Sequence, residues 1–150
     1  MAESTGAQPN LGILLFVAYR SMEERVFTAL REAGFGDFTT AQARVFQRIA
    51  PGGSRITDLA RQAQVTKQTA GFLVDQLERA GYVERAADPE DARAKLVRVA
   101  LRGERAVAAS AEVVAEVEAE WAAHLGQRRT DDFRRSLLRL REITDPYREP

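Results

Sequence analysis

The sequence predicts a mainly α-helical fold that carries one small β-hairpin. Three observations predict it. Apolar residues recur at helical spacing over most of the chain, beginning with Leu14, Leu15, Ala18, Met22, Val26, Ala29, Leu30 and Ala33. After Gly81 the alternation shortens to that of strands, in two segments separated by a turn-rich loop. Helical spacing then returns and runs nearly to the end. The length of 150 residues suits one domain with a sizeable core.

Residues 1–9 read as a flexible polar tail and residues 10–145 as a single domain. The first helix starts at Leu11 and runs to about residue 33. Ile13, Phe16, Val17 and Phe27 form a second apolar set off its main stripe, and a helix apolar on more than one face is buried on more than one side. Gly34 and Gly36 end it. Thr39 or Thr40 N-caps a second helix to about Ala50, with Val45, Phe46 and Ile49 inward. Pro51-Gly52-Gly53 breaks the chain. Thr57 caps a short helix from Asp58 to about Ala63, with Leu59 and Ala60 inside, and Gln64-Val65 makes a turn. Thr66 caps the next helix, whose inward set is Ala70, Leu73, Val74 and Leu77 and which ends at Gly81.

Tyr82 to Ala87 and Lys95 to Leu101 read as strands, with Val97, Val99 and Leu101 alternating against Arg98 and Ala100. Asp88-Pro89-Glu90-Asp91-Ala92-Arg93 is the charged loop between them. A long helix runs from about Arg102 to Leu125, with Ala106, Val113, Val117 and Trp121 in register. The last helix follows Thr130, with Asp131 and Asp132 in its first turn, where the helix dipole favours acids, and with Phe133, Leu137 and Leu140 inward. Two short capped helices joined by a tight turn and followed at once by a hairpin make a winged helix-turn-helix. That core spans about residues 39–101.

Composition narrows the function. Apolar residues are 45% and charged residues 29%, as in globular proteins. The longest apolar run, Ile13 to Tyr19, is far short of the roughly 20 residues that span a bilayer, and no basic segment precedes it as in a signal peptide. A cytoplasmic protein with no membrane partner is expected. The absence of cysteine removes disulfides, thiol sensing and thiolate-ligated zinc, and the single histidine, His124, cannot build a multi-histidine metal site. No metal and no cofactor are expected. No paired nucleophile and base or Gly-rich phosphate loop is visible, so the chain reads as a non-enzyme. Net charge is zero, but residues 54–105 hold 10 Lys/Arg against 8 Asp/Glu, while residues 106–127 hold four glutamates and no Lys or Arg.

The helix that starts after Thr66 carries the functional signal. With its inward set fixed, Lys67, Gln68, Gly71, Phe72 and Asp75 face out and Thr69 lies near the margin. Gln pairs with adenine, Lys reaches guanine or phosphate, and Thr meets a thymine methyl. These groups cluster at the N-terminal end, where a recognition helix meets base edges in the major groove. Phe72 suits thymine methyls or sugars. Gly71 costs about 1 kcal/mol against Ala in mid-helix, which points to a close approach, either by DNA or by the preceding helix. Arg85, Arg93, Lys95 and Arg98 lie on or near the hairpin tip, where a guanidinium can enter a narrow minor groove. The bland alternative is a solvated turn in which Asp91 and Arg93 pair with each other. Arg55 and Thr57, at the head of the preceding helix, complete a DNA-binding set of Arg55, Thr57, Thr66, Lys67, Gln68, Thr69, Phe72, Arg85, Asp91, Arg93 and Lys95.

The stretches Ile56-Thr57-Asp58-Leu59-Ala60, Val65-Thr66-Lys67-Gln68-Thr69, Leu73 to Arg85 and Asp88 to Lys95 together resemble the winged-helix core of the MarR family of bacterial transcription regulators. Asp91 and Arg93 fall on that family's D-x-R wing motif. Two positions depart from it: Ala92 stands where many members carry a second arginine, and Ala100 where a threonine commonly caps the next helix. The resemblance implies a homodimer interlocked through helices at about residues 10–33 and 102–143. It implies a repressor that sets one recognition helix per subunit on a pseudo-palindromic double-stranded DNA operator. It also implies release by a small aromatic or anionic effector in a cleft between the two regions. Phe16, Tyr19, Arg20, Phe38 and Trp121 are the candidate lining, although aromatics at helical spacing equally make core. The alternative function is a winged-helix protein-interaction module without an operator, against which the outward Lys67, Gln68 and Arg93 argue.

Overall fold

The structure, a computed structural model, describes residues 7–147. Of the expected tail, positions 1–6 lie outside the described residues, and residues 7–9 are exposed and without regular structure. The elements are α1 (Leu11–Glu32), α2 (Thr40–Phe46), α3 (Ile56–Gln62), α4 (Lys67–Arg79), β1 (Val83–Asp88), β2 (Asp91–Val99), α5 (Leu101–Leu125) and α6 (Gln127–Thr144). The predicted fold class holds: helices plus a two-stranded antiparallel hairpin.

Local chemistry sets most boundaries. The Asn10 side chain accepts from the Ile13 N–H at 2.9 Å and starts α1. Gly34, at φ +93°, ends it in a backbone conformation that side chains disfavour. Of the two threonines offered for α2, Thr39 is the cap, in a reciprocal capping box with Gln42. The helix stops at Phe46 rather than near Ala50, because Arg48 and Ile49 tighten into bonds with Val45 and Phe46, three residues back. Thr66 caps α4 as expected, accepting from the Thr69 N–H at 3.0 Å.

Four expectations are corrected. Thr57 does not cap α3; the helix begins at Ile56, Arg55 holds the N-cap position without a side-chain bond, and Thr57 lies in the first turn. The cause is Ser54, which exchanges two backbone hydrogen bonds with Val97, at 2.9 and 2.8 Å, and brings the chain into the helix early. The hairpin loop is only Pro89-Glu90, since β2 starts at Asp91; regular pairing runs from Val83↔Val99 to Ala87↔Lys95, then skips to Asp88↔Asp91, so Ala92-Arg93-Ala94 bulges. Leu101 opens α5 and is 62% exposed instead of ending an inward row. Finally, α6 begins at Gln127, so Thr130 sits inside it and donates to the Gly126 carbonyl, while Asp131 and Asp132 fall beyond the first turn.

The core sits in the winged-helix lobe. Leu59, Val74, Leu77, Val45, Val97 and Tyr82 are fully buried, and Phe38 packs edge-on against Phe46 and Tyr82 at centroid distances of 5.3 and 5.0 Å. The second half of α1 joins this core through Val26, Phe27 and Leu30. Its first half does not: Leu11, Ile13, Leu14, Phe16 and Val17 are exposed in the single chain. Phe133, Leu137 and Leu140 of α6, expected inward, also remain partly open, because α6 packs chiefly against α5. No helix among the described residues is long and apolar enough to cross a membrane.

One knot joins the lobe to the long helices. Arg102, at the head of α5, donates to both oxygens of Asp37 at 3.0 Å and to the carbonyls of Ala80 and Gly34. Its guanidinium lies 4.3 Å from the centroid of the Tyr82 ring, and the Tyr82 hydroxyl donates to Asp37. Gly103 lets α5 approach, since a Cβ there would fall 2.2 Å from the Tyr82 carbonyl oxygen. These contacts hold a helix start at which Ala100 supplies no side-chain cap.

Candidate nucleic-acid interface

The α4 face opposite the core presents Lys67, Gln68, Thr69 and Phe72, all exposed, with Phe72 at 57%. Thr66 accepts from the Thr69 N–H and donates to the Thr69 hydroxyl at 2.9 Å, which fixes the two hydroxyls at the helix head. The inward row Ala70, Leu73, Val74 and Leu77 is buried, as predicted, and determines this outward row.

The hairpin arginines divide into two kinds. Arg85 is not at the tip. It pairs across from Val97 in mid-hairpin and donates to Asp75 at 2.8 Å and Glu78 at 2.7 Å, locking β1 onto α4. Arg98 likewise meets Glu84 at 3.3 Å, below the tip. Arg55 donates twice to one oxygen of Asp88, at 2.9 and 2.7 Å, while the other oxygen accepts from the Glu90 N–H at 2.9 Å. The Glu90 amide and then the Arg55 guanidinium hold the Asp88 carboxyl below its ordinary pKa. Arg55 therefore braces the wing turn. Asp91 does not pair with the Arg93 side chain; its carboxylate accepts the Arg93 backbone N–H at 3.0 Å. That bond shapes the bulge and leaves the Arg93 guanidinium exposed, with no acidic partner among the described residues. Lys95 and Lys67 are exposed and unpaired in the same sense. Thr57 is exposed on the first turn of α3.

A second feature lies behind this face. A cavity of about 490 Å³ opens among α1, α2 and α5. Of the five residues expected in a ligand cleft, Tyr19 and Phe38 line it. Arg20 does not, being engaged with Glu23, and Phe16 stands out in solvent. Trp121 instead lines a smaller cavity of about 260 Å³ between α5 and α6. The cation at the larger cavity is Arg44, which has no ion-pair partner among the described residues and which sequence reasoning passed over. Tyr19 donates to Glu23 at 2.7 Å, and burial, then Glu23, raise its pKa.

Comparison with known proteins adds to this geometry. A sequence model of the MarR family matches residues 37–94, the stretch from Asp37 through the wing bulge. The crystal structure of MarR is 31% identical, covering 91% of this chain and 98% of that one, with a TM-score of 0.69. The chain belongs to the MarR family. A transcriptional regulator from Thermotoga maritima, Tm0710, is 26% identical over 87% of this chain and 90% of its own, with a TM-score of 0.63. The S. aureus MepR–DNA complex shares the fold at 20% identity, over 91% of this chain and 99% of that one, with a TM-score of 0.66. No curated protein sequence matches the chain. As a member of the MarR family this protein has the winged-helix architecture of transcription regulators, and its recognition helix and wing are α4 and β1–β2.

Proposed function

We propose that this MarR-family chain is a homodimeric, sequence-specific repressor. Each subunit would set α4 in a major groove of a pseudo-palindromic operator and lay Arg93 of the wing on the adjoining backbone or minor groove. The observation that carries this reading is the sorting of charge. The acids beside α4 and at the base of the wing, Asp75, Glu78 and Asp88, are engaged by Arg85 or Arg55, whereas Lys67, Arg93 and Lys95 have no acidic partner among the described residues. At the wing turn Glu90 and Asp91 hold no cation among the described residues, and Asp91 accepts the Arg93 backbone N–H. A face whose α4-side acids are neutralised while three cations stay open suits a polyanion. MepR, which has the same fold, has been seen with DNA. The dimer reading rests on the exposed apolar residues of α1 and α6, since soluble monomers rarely leave such a surface uncovered. Release by a small aromatic or anionic molecule rests on the cavity and on Arg44; MepR has been seen with ethidium. The test is a mobility-shift titration with the DNA upstream of the chain's own gene. A sequence-specific shift supports an operator-binding regulator, and its absence leaves the protein-interaction module.

A further inference from the structure

Six of the nine described glycines have an internal reason; of the other three, Gly36 and Gly52 lie in turns and Gly71 lies in a helix. Gly34, Gly53, Gly81 and Gly126 adopt positive φ. Gly103 admits the Tyr82 carbonyl, and a Cβ at Gly12 would press to 3.2 Å on the capping oxygen of Asn10. Gly71 differs. It lies in the interior of α4 with ordinary helical backbone, and a Cβ there would meet nothing within 4 Å. Packing of α3 against α4 therefore does not require it, which removes one of the two reasons the sequence left open. An alanine at this position would fit and would favour the helix.

Gly71 lies half-buried at the edge of the outward face, one turn after the exposed Gln68 and one turn before the exposed Asp75. We infer that Gly71 is the point of closest approach between the recognition helix and the base edges, and so a specificity-determining residue; this rests on the operator-binding reading above. The missing methyl lowers the floor of the face between two longer side chains. A base edge can reach the helix backbone there only if position 71 has no side chain. A non-specific complex is held by phosphates and does not bring the helix to base edges. The glycine should therefore matter on the operator and not on other DNA.

The experiment compares wild type with Gly71→Ala in three measurements: thermal unfolding of the free protein, affinity for the operator found by the mobility-shift titration, and affinity for scrambled DNA of the same length. The expected result is a melting temperature unchanged or raised, an operator affinity lowered about tenfold or more, and scrambled-DNA affinity and salt slope unchanged. Equal operator binding by both proteins would overturn the inference while leaving the operator reading intact. Loss of stability or of folding in Gly71→Ala would overturn it too, by showing an internal need for glycine. Equal losses on operator and scrambled DNA would also overturn it. If wild type itself shows no sequence preference, the parent reading has failed, and the inference falls with it.

Discussion

Replacing Arg93 with alanine should change how binding responds to salt, whereas replacing Gln68 should change what is bound. On the DNA-facing side each protomer offers three cations without an acidic partner among the described residues, Lys67, Arg93 and Lys95, hence six per proposed dimer. Each phosphate neutralised contributes about −0.9 to the slope of log affinity against log salt, so the wild-type slope should be near −5. Arg93→Ala removes one contact per protomer and should bring it to about −3.5. Between about 50 and 200 mM salt, wild type should then lose roughly tenfold more affinity than the variant, so the two titration curves converge. Gln68→Ala should keep the wild-type slope and lose about 1–3 kcal/mol per half-site, on the operator only. If Arg93 enters a narrow A/T minor groove, its loss should also blunt preference there. The assay is a salt series on operator and scrambled DNA for all three proteins. A flattened slope in Gln68→Ala together with an intact one in Arg93→Ala would refute the assignment of roles.

Phe16 is 62% exposed in the single chain, so Phe16→Glu would cost a monomer under about 0.5 kcal/mol; in the proposed dimer it should dissociate the subunits, which sedimentation at low micromolar concentration will show. Calorimetry with aromatic carboxylic acids should find binding lost in Arg44→Ala and kept in Arg20→Ala, because Arg44 lines the cavity and Arg20 is occupied by Glu23; equal binding by Arg44→Ala and wild type would remove Arg44 from the site. Acid should destabilise the fold through Asp37, Asp88 and Asp145, held below their ordinary pKa chiefly by the Tyr82 hydroxyl, the Glu90 amide and Arg48 respectively. Carboxyls depressed in the folded state contribute stability above the unfolded value near 4 and lose it as pH falls through their folded values. Urea midpoints should therefore be flat from neutral pH to about 5 and then decline, and a midpoint that rises on acidification would contradict the argument.

What the sequence revealed and what it hid follow one physical division. Thr39, Thr66 and the buried row of α4 are local features, written in capping chemistry and a 3.6-residue period, and they were legible. So was the switch of period at Gly81, whose positive φ turns the chain from helix to strand. Thr57 misled because its capping chemistry was overridden by a distant event, the pairing of Ser54 with Val97. Thr130 misled in the same way: Gly126, at φ +90°, turns the chain between α5 and α6 with no polar cap at all. The wing tip departs from the expected loop because Asp88 and Asp91 capture the Glu90 and Arg93 amides and build a bulge that alternation alone cannot signal. Arg85 was indistinguishable from Arg93 as a letter. Only the folded hairpin puts Asp75 and Glu78 beside one and neither beside the other. Arg44 was hidden for a related reason, since its role depends on where α1 and α5 pass.

Tyr82 and Arg102 connect the cavity region to the end of α4. The Tyr82 carbonyl accepts from Ala100 at 2.9 Å, its ring lies against Phe38, and its hydroxyl meets Asp37. Phe38 is also a wall of the cavity, and Arg102 ties Asp37 to the C-terminal end of α4 through the Ala80 carbonyl at 2.7 Å. The chain of contacts from cavity to recognition helix is thus Phe38, Tyr82 and Asp37, Arg102, Ala80, of which Asp37 is exposed in the turn between α1 and α2. In the proposed release, a molecule seated against Phe38 would act on this joint rather than on α4 directly. It could weaken operator binding only by as much as it prefers one setting of the joint over the other, tenfold for each 1.4 kcal/mol of that preference. An apolar cavity wall shared with the joint supplies a physical source for such a preference, because the same side chain must pack against ligand and against Tyr82 at once.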